Sequence, residues 1–98
     1  MSEIINQFKI YLRTKSLCTL TIRGYAFDVA QFIEWSEGNG ILFNHVTTED
    51  AIQYLNFLVT SRHEIRPGVV GTYSPRTIMK KIAAVRSFFD YLRACNEQ

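Results

Sequence analysis

Two stretches of this sequence combine residue types suited to holding a phosphate. The first, S-P-R-T-I-M-K-K over residues 74–81, sets Arg76, Lys80 and Lys81 into the opening turns of a helix. Ser74 is a good N-cap because its hydroxyl can accept from one of the first free N–H groups, and Pro75 suits the first helical position. That helix end already carries about half a unit of positive charge, so each cation placed there costs about 0.3–1 kcal/mol unless an anion arrives to offset it. The second stretch, K-S-L-C-T-L-T-I-R-G over residues 15–24, joins Lys15 and Arg23 to the hydroxyls of Ser16, Thr19 and Thr21 at another helix start. Free N–H groups at such an end complete a phosphate-binding set. Gly24 lies off the apolar stripe of its helix, where glycine costs about 1 kcal/mol against alanine. It marks a close approach, either of a ligand to the backbone or of a neighbouring helix.

Other chemistry is poorly supplied. Cys18 and Cys95 form no C-x-x-C pair and have no histidine at zinc-ligand spacing, which points to free thiols in a reducing compartment and no disulfide. His45 has no partner at ligand spacing, so neither a metal nor a cofactor is expected. Hydrophobic residues make up 47% and charged residues 20% of the 98 positions, the composition of one globular domain spanning the whole chain. No apolar run reaches the ~18 residues needed to span a bilayer, and the charged, amphipathic N-terminus is unlike a signal peptide, so a cytoplasmic protein is expected. The net charge of +2 is uninformative, but its distribution is uneven: between Glu64 and Asp90 there is no acid, while Arg66, Arg76, Lys80, Lys81 and Arg86 fall in that interval.

The elements that must position these residues are helical. Ile4, Ile5, Phe8, Tyr11 and Leu12 give helical spacing over residues 3–15, and Ile22, Tyr25, Ala26, Val29, Phe32 and Ile33 give it from about Thr19 to Glu37, before a break at Gly38-Asn39-Gly40. Thr47-Thr48-Glu49-Asp50 is a capped, acid-first start to a third helix ending near Ser61. Residues 62–73, with Pro67, Gly68 and Gly71, read as a long loop. The fourth helix runs from Pro75 to about Ala94, with Ile78, Ile82, Val85, Phe89 and Leu92 as its apolar stripe. No segment alternates convincingly as a strand, so the expected fold is an all-α bundle of four helices. Phe27 and Trp35 fall off the main stripe of the second helix and are expected to serve a second buried face, with contact to a neighbouring protomer as the alternative.

Opposite the stripe of the fourth helix lie Arg76, Lys80, Ala83, Ala84, Ser87 and Tyr91, where small side chains beside cations would admit a polyanion. The first and third helices open with acids, Glu3 and Glu49-Asp50, whereas the second and fourth do not. One nucleic-acid-facing surface formed by the starts of helices two and four explains both departures. A protein-interaction module whose basic stripe docks an acidic partner is the alternative. A helix-turn-helix regulator is disfavoured, because no two short helices are joined by a three- or four-residue turn.

Phe8, Tyr11 and Leu12, the run T-I-x-x-Y-x-x-D-V-x-x-F from Thr21 to Phe32, Thr47-Thr48-Glu49-Asp50 with Tyr54-Leu55, and S-P-R-T-I-x-K-K-I-A-A-V-R-S-F-F-D-Y-L together resemble the N-terminal SAM-like, core-binding domain of phage integrases and other tyrosine recombinases. The resemblance covers essentially the whole chain. It implies a four-helix SAM-like domain gripping one side of double-stranded DNA, with the second and fourth helices at the major groove and its flanking phosphates, in a protein used for DNA integration and recombination. By position it points to Thr19, Arg23, Arg76, Thr77, Lys80 and Lys81 as DNA-binding residues. The implied partners are DNA, a catalytic domain of the same parent protein that is absent from this chain, and neighbouring recombinase protomers. Cys18 stands where the family often has serine, which weakens the expected cap of the second helix. His63-Glu64-Ile65-Arg66 spells the family's catalytic H-x-x-R, with Tyr73 and Tyr91 downstream, but Pro67-Gly68 follows at once and no matching upstream segment exists. An active site needs its full constellation around an activated nucleophile, so no catalytic residue is expected here.

Overall fold

The computed structural model describes residues 2–42 and 45–96. Four helices, α1 (Ser2–Arg13), α2 (Thr19–Gly38), α3 (Thr48–Thr60) and α4 (Pro75–Asn96), carry the core, and a hairpin of β1 (Arg62–Arg66) and β2 (Val69–Thr72) separates α3 from α4. The all-α expectation holds apart from this small sheet.

The helix ends follow from local chemistry. Thr47 caps α3 through a reciprocal box: its hydroxyl accepts from the Asp50 backbone N–H at 3.2 Å, and the Asp50 carboxylate accepts from the Thr47 N–H at 3.1 Å. Ser74 caps α4, its hydroxyl accepting from the Thr77 N–H at 3.2 Å. Cys18 occupies the N-cap of α2 in extended backbone without a side-chain cap bond. The α1–α2 turn brings Ser16 into the left-handed region at φ 61, a conformation that costs a non-glycine residue about 1–2 kcal/mol.

Residues 62–73 do not form the expected loop. Arg62 pairs with Thr72, His63 with Gly71 and Arg66 with Val69, in an antiparallel ladder with an irregularity between Glu64 and Arg66. Pro67-Gly68 makes the turn, and Gly68 supplies the positive φ of 77 that position i+2 of a type II turn requires. Strands of five and four residues are too short to display alternation, and Gly71 removes a side chain from one of them. The turn signal was therefore visible while the strands were not.

The core draws on all four helices: Phe8 and Leu12 from α1, Ile22, Val29, Phe32 and Ile33 from α2, Tyr54 and Leu58 from α3, and Ala84, Val85, Phe88 and Tyr91 from α4. Aromatic rings lock it edge to face. Phe8 meets Phe88 at 5.4 Å between centroids and Phe32 meets Tyr54 at 5.0 Å, contacts worth about 0.5–1.5 kcal/mol each beyond area burial.

The buried face of α4 is rotated from the expected one. Ala84 and Tyr91, placed opposite the core by periodicity, are buried, whereas Ile78, Ile82 and Phe89 are only partly buried. The centre of the face is the Lys81, Ala84, Val85, Phe88 line, which periodicity obscured because α4 packs on α1, α2 and α3 and so covers more than one stripe. Phe27 does not join the expected second buried face, remaining 69% exposed, while Trp35 packs partly buried against the core.

Candidate functional site

The centre of the candidate site is where α4 crosses α2, and its geometry begins with two adjacent lysines that behave oppositely. Lys81 is buried, 5% exposed. Its Nζ donates to Asp28 Oδ1 at 2.9 Å and to Gln31 Oε1 at 2.7 Å, and it lies 5.0 Å from the centre of the Tyr73 ring. Asp28 is itself 3% exposed. Burying such charges costs several kcal/mol per ion, which only close pairing and hydrogen bonding can offset. Lys81, which the resemblance points to as DNA-binding, is therefore not an accessible cation in this structure: its ammonium is engaged inside the α2–α4 seam.

Lys80 instead reaches solvent, with its side chain 59% exposed. It crosses the seam at Gly24, where an added Cβ would stand 3.2 Å from Lys80 Nζ and 3.5 Å from Cε. The end of the Lys80 side chain from the neighbouring helix therefore approaches the Gly24 backbone closely. Asp28 Oδ2 lies 4.0 Å from Lys80 Nζ, an ion pair beyond hydrogen-bond range. That oxygen is buried and makes no hydrogen bond among the described residues.

The remaining expected residues are distributed around this crossing. Thr19 opens α2 and Arg23 precedes Gly24, both exposed, while Arg76 is exposed in the first turn of α4. None of the three makes a side-chain hydrogen bond or ion pair among the described residues, so all are free to meet a ligand. Thr77 is half-buried, and its Oγ1 accepts from Ser74 Oγ at 3.0 Å as part of the cap. Neither α2 nor α4 has an acid in its first turn, whereas α1 has Glu3 and α3 has Glu49 and Asp50. Beside the α2 start, Lys15 rests over the Tyr11 ring at 5.0 Å. The Cys18 Sγ meets Thr21 Oγ1 at 3.2 Å, and this hydrogen bond holds the exposed thiol below its usual pKa.

Asp28 and Gln31 were missed as partners by sequence reasoning. A signal existed: Asp28 sits between Ala26 and Val29 in an apolar stretch, where an acid needs a partner, and Lys81 occupies the matching position in α4.

The H-x-x-R segment lies on the hairpin. His63 stacks on Tyr73 at 4.3 Å between ring centres, and Tyr73 Oη accepts from Gln31 Nε2 at 2.9 Å. Tyr91 is buried and donates to Gln7 Oε1 at 3.2 Å. Among the described residues no cluster of three or more His, Cys, Asp or Glu could hold a metal ion, and no helix is long and apolar enough to cross a membrane.

Residues 5–96 match the family model described as phage integrase, N-terminal SAM-like domain. Two similar curated proteins are each named tyrosine recombinase XerC. One, from Herpetosiphon aurantiacus, is 32% identical over 95 residues, covering 95% of this chain and 28% of that protein. The other, from Roseiflexus castenholzii, is 31% identical over 93 residues, covering 94% of this chain and 27% of that protein. The chain thus spans under a third of the length of these relatives. No solved structure matches significantly.

Proposed function

The chain belongs to the phage integrase N-terminal SAM-like domain family, and from that premise we propose that it is the DNA-binding domain of a site-specific tyrosine recombinase, holding one side of duplex DNA through the start of α2 and the first half of α4. One observation carries the reading: the two helices that open without acids also present the exposed Arg23, Arg76 and Lys80, while the other two open acid-first. A phosphate offsets both the cations and the positive helix ends; among the described residues Arg23 and Arg76 have no ion-pair partner, and Lys80 has only the 4.0 Å pair with Asp28.

In this reading Thr19, Arg23, Arg76 and Lys80 meet phosphates or base edges, and Thr77 contributes through the capped end of α4. Lys81 acts from beneath, fixing α4 against α2. Strand cleavage belongs to a separate catalytic domain, so this chain carries no catalytic residue, and incubation with supercoiled DNA is expected to give neither nicks nor a covalent adduct. Titration of labelled duplex at several salt concentrations tests the binding. Binding dominated by phosphates predicts a Kd on the order of 10⁻⁴–10⁻⁶ M near physiological salt, tightening steeply as salt is lowered. An affinity indifferent to salt, or no binding at low salt, would count against the proposal and favour an acidic protein partner only if one competes for the same residues.

A further inference from the structure

We infer that Gly24 and Asp28, one turn apart on α2, form a seat that holds the Lys80 side chain across the α2–α4 seam and pre-places its ammonium for a phosphate. The inference rests on the DNA-binding reading above and adds positioning residues to it.

Three observations converge on the seat. Gly24 leaves room for the end of Lys80, since a Cβ there would press on Nζ at 3.2 Å. Asp28 supplies a buried oxygen, Oδ2, that has no hydrogen bond among the described residues and stands 4.0 Å from the same ammonium. Lys81 occupies the other carboxylate oxygen, Oδ1, at 2.9 Å. With Lys81 already neutralising Asp28, the attraction left for Lys80 is weak enough to be released. The ammonium can turn to a phosphate while Asp28 stays paired. A free lysine side chain would lose more rotamer entropy on binding, and preorganisation lowers that cost.

Gly24→Leu separates the seat from the fold, because leucine fills the space while favouring the helix. With a mixed-sequence labelled duplex, Lys80→Ala should weaken binding and flatten the slope of log K against log[salt] by roughly 0.9, the value for one phosphate no longer neutralised. Gly24→Leu should reproduce that change, and Gly24→Leu with Lys80→Ala should bind no more weakly than Lys80→Ala alone. Gly24→Ala should act in the same direction by less, with a Tm no lower than that of the unaltered chain. In the unaltered chain, NMR should detect a contact between the Lys80 ε-methylene and the Gly24 α-protons, with Lys80 less mobile than the exposed Lys15. This last measurement stands even if a variant fails to fold.

Several outcomes overturn the seat. If Gly24→Leu keeps the original affinity and slope while Lys80→Ala loses them, the seat is wrong and the DNA face stands. If Gly24→Leu weakens binding further in the Lys80→Ala background, Gly24 meets DNA itself and the seat is again wrong. A Lys80 as mobile as Lys15, without contact to Gly24, has the same consequence. If Lys80→Ala and Arg76→Ala both bind as before, the DNA-binding reading beneath the seat fails.

Discussion

Lys80 and Lys81 are consecutive, yet one is 59% exposed at its side chain and the other 6%. A step of one residue turns a helix by about 100°, enough to carry a side chain from a seam's edge into its interior. Charge type alone could not separate them. The difference became legible only with Asp28, whose burial demands a cation. Lys81→Met should therefore destabilise by about 3–5 kcal/mol in urea unfolding, because it strands a buried carboxylate, whereas Lys80→Ala should stay within about 0.5 kcal/mol of the original. Equal costs for the two would contradict their assignment to different environments. Tyr54 gives a second test at this scale. Its Oη is buried with no hydrogen-bond partner among the described residues, and burial, with smaller contributions from the Asp28 charge and Tyr73, pushes its pKa well above the usual tyrosine value. In the unfolded chain the phenol ionises near 10. Its stabilising contribution is thus complete below about pH 10 and falls as pH rises beyond it, because the unfolded state then releases a proton that the folded state retains. Tyr54→Phe should be neutral or slightly stabilising at pH 7 and should soften the alkaline decline in urea midpoint. A decline identical in both proteins would place its origin elsewhere.

At the scale of elements, sequence signals were strongest where a cap and a period coincide. Thr47 and Asp50 announced α3, and Ser74-Pro75 announced α4, each at its observed start. The β1–β2 hairpin was hidden because four and five residues cannot establish a period, and because half its pairing partners are charged or glycine. The α4 core face was misjudged because Ile78 and Ile82 are apolar without being central. They line an open groove with Ile52, Leu55 and Met79, while the alanine and tyrosine at 84 and 91 are buried. Phe88→Ala should accordingly cost about 3–5 kcal/mol, and Ile82→Ala less than the ~2–5 of a fully buried isoleucine. The caps make an equally direct comparison. Thr47→Ala should cost about 0.5–2 kcal/mol by removing half of the capping box, and Cys18→Ser should gain up to about 1 kcal/mol by giving α2 a cap oxygen it lacks. Thermal melts of both variants check these signs, and a Cys18→Ser protein no more stable than the original would mean that the Thr21 hydrogen bond already does the cap's work.

For the whole molecule, family membership and fold agree with what the motifs implied in combination, although none of those motifs is diagnostic alone. A nearly neutral chain exposes Arg23, Arg76 and Lys80 on the first halves of α2 and α4, while the buried Asp28 and Lys81 pair across the seam between the same helices. One arrangement thus sets the fold and leaves Arg23, Arg76 and Lys80 available. The separation of these roles is the central claim, and the Arg76→Ala, Lys80→Ala double variant tests it most directly. Melting and salt-dependent duplex titration are measured on the same preparation. Removing two cations from the positive end of α4 should leave Tm unchanged or slightly raised, equivalent to a few tenths up to about 1 kcal/mol. The slope of log K against log[salt] should become shallower by roughly 0.9 for each phosphate that the variant no longer neutralises. A double variant that melts well below the original while binding DNA with the original affinity and slope would contradict the account, since these residues would then hold the fold and the DNA face would lie elsewhere.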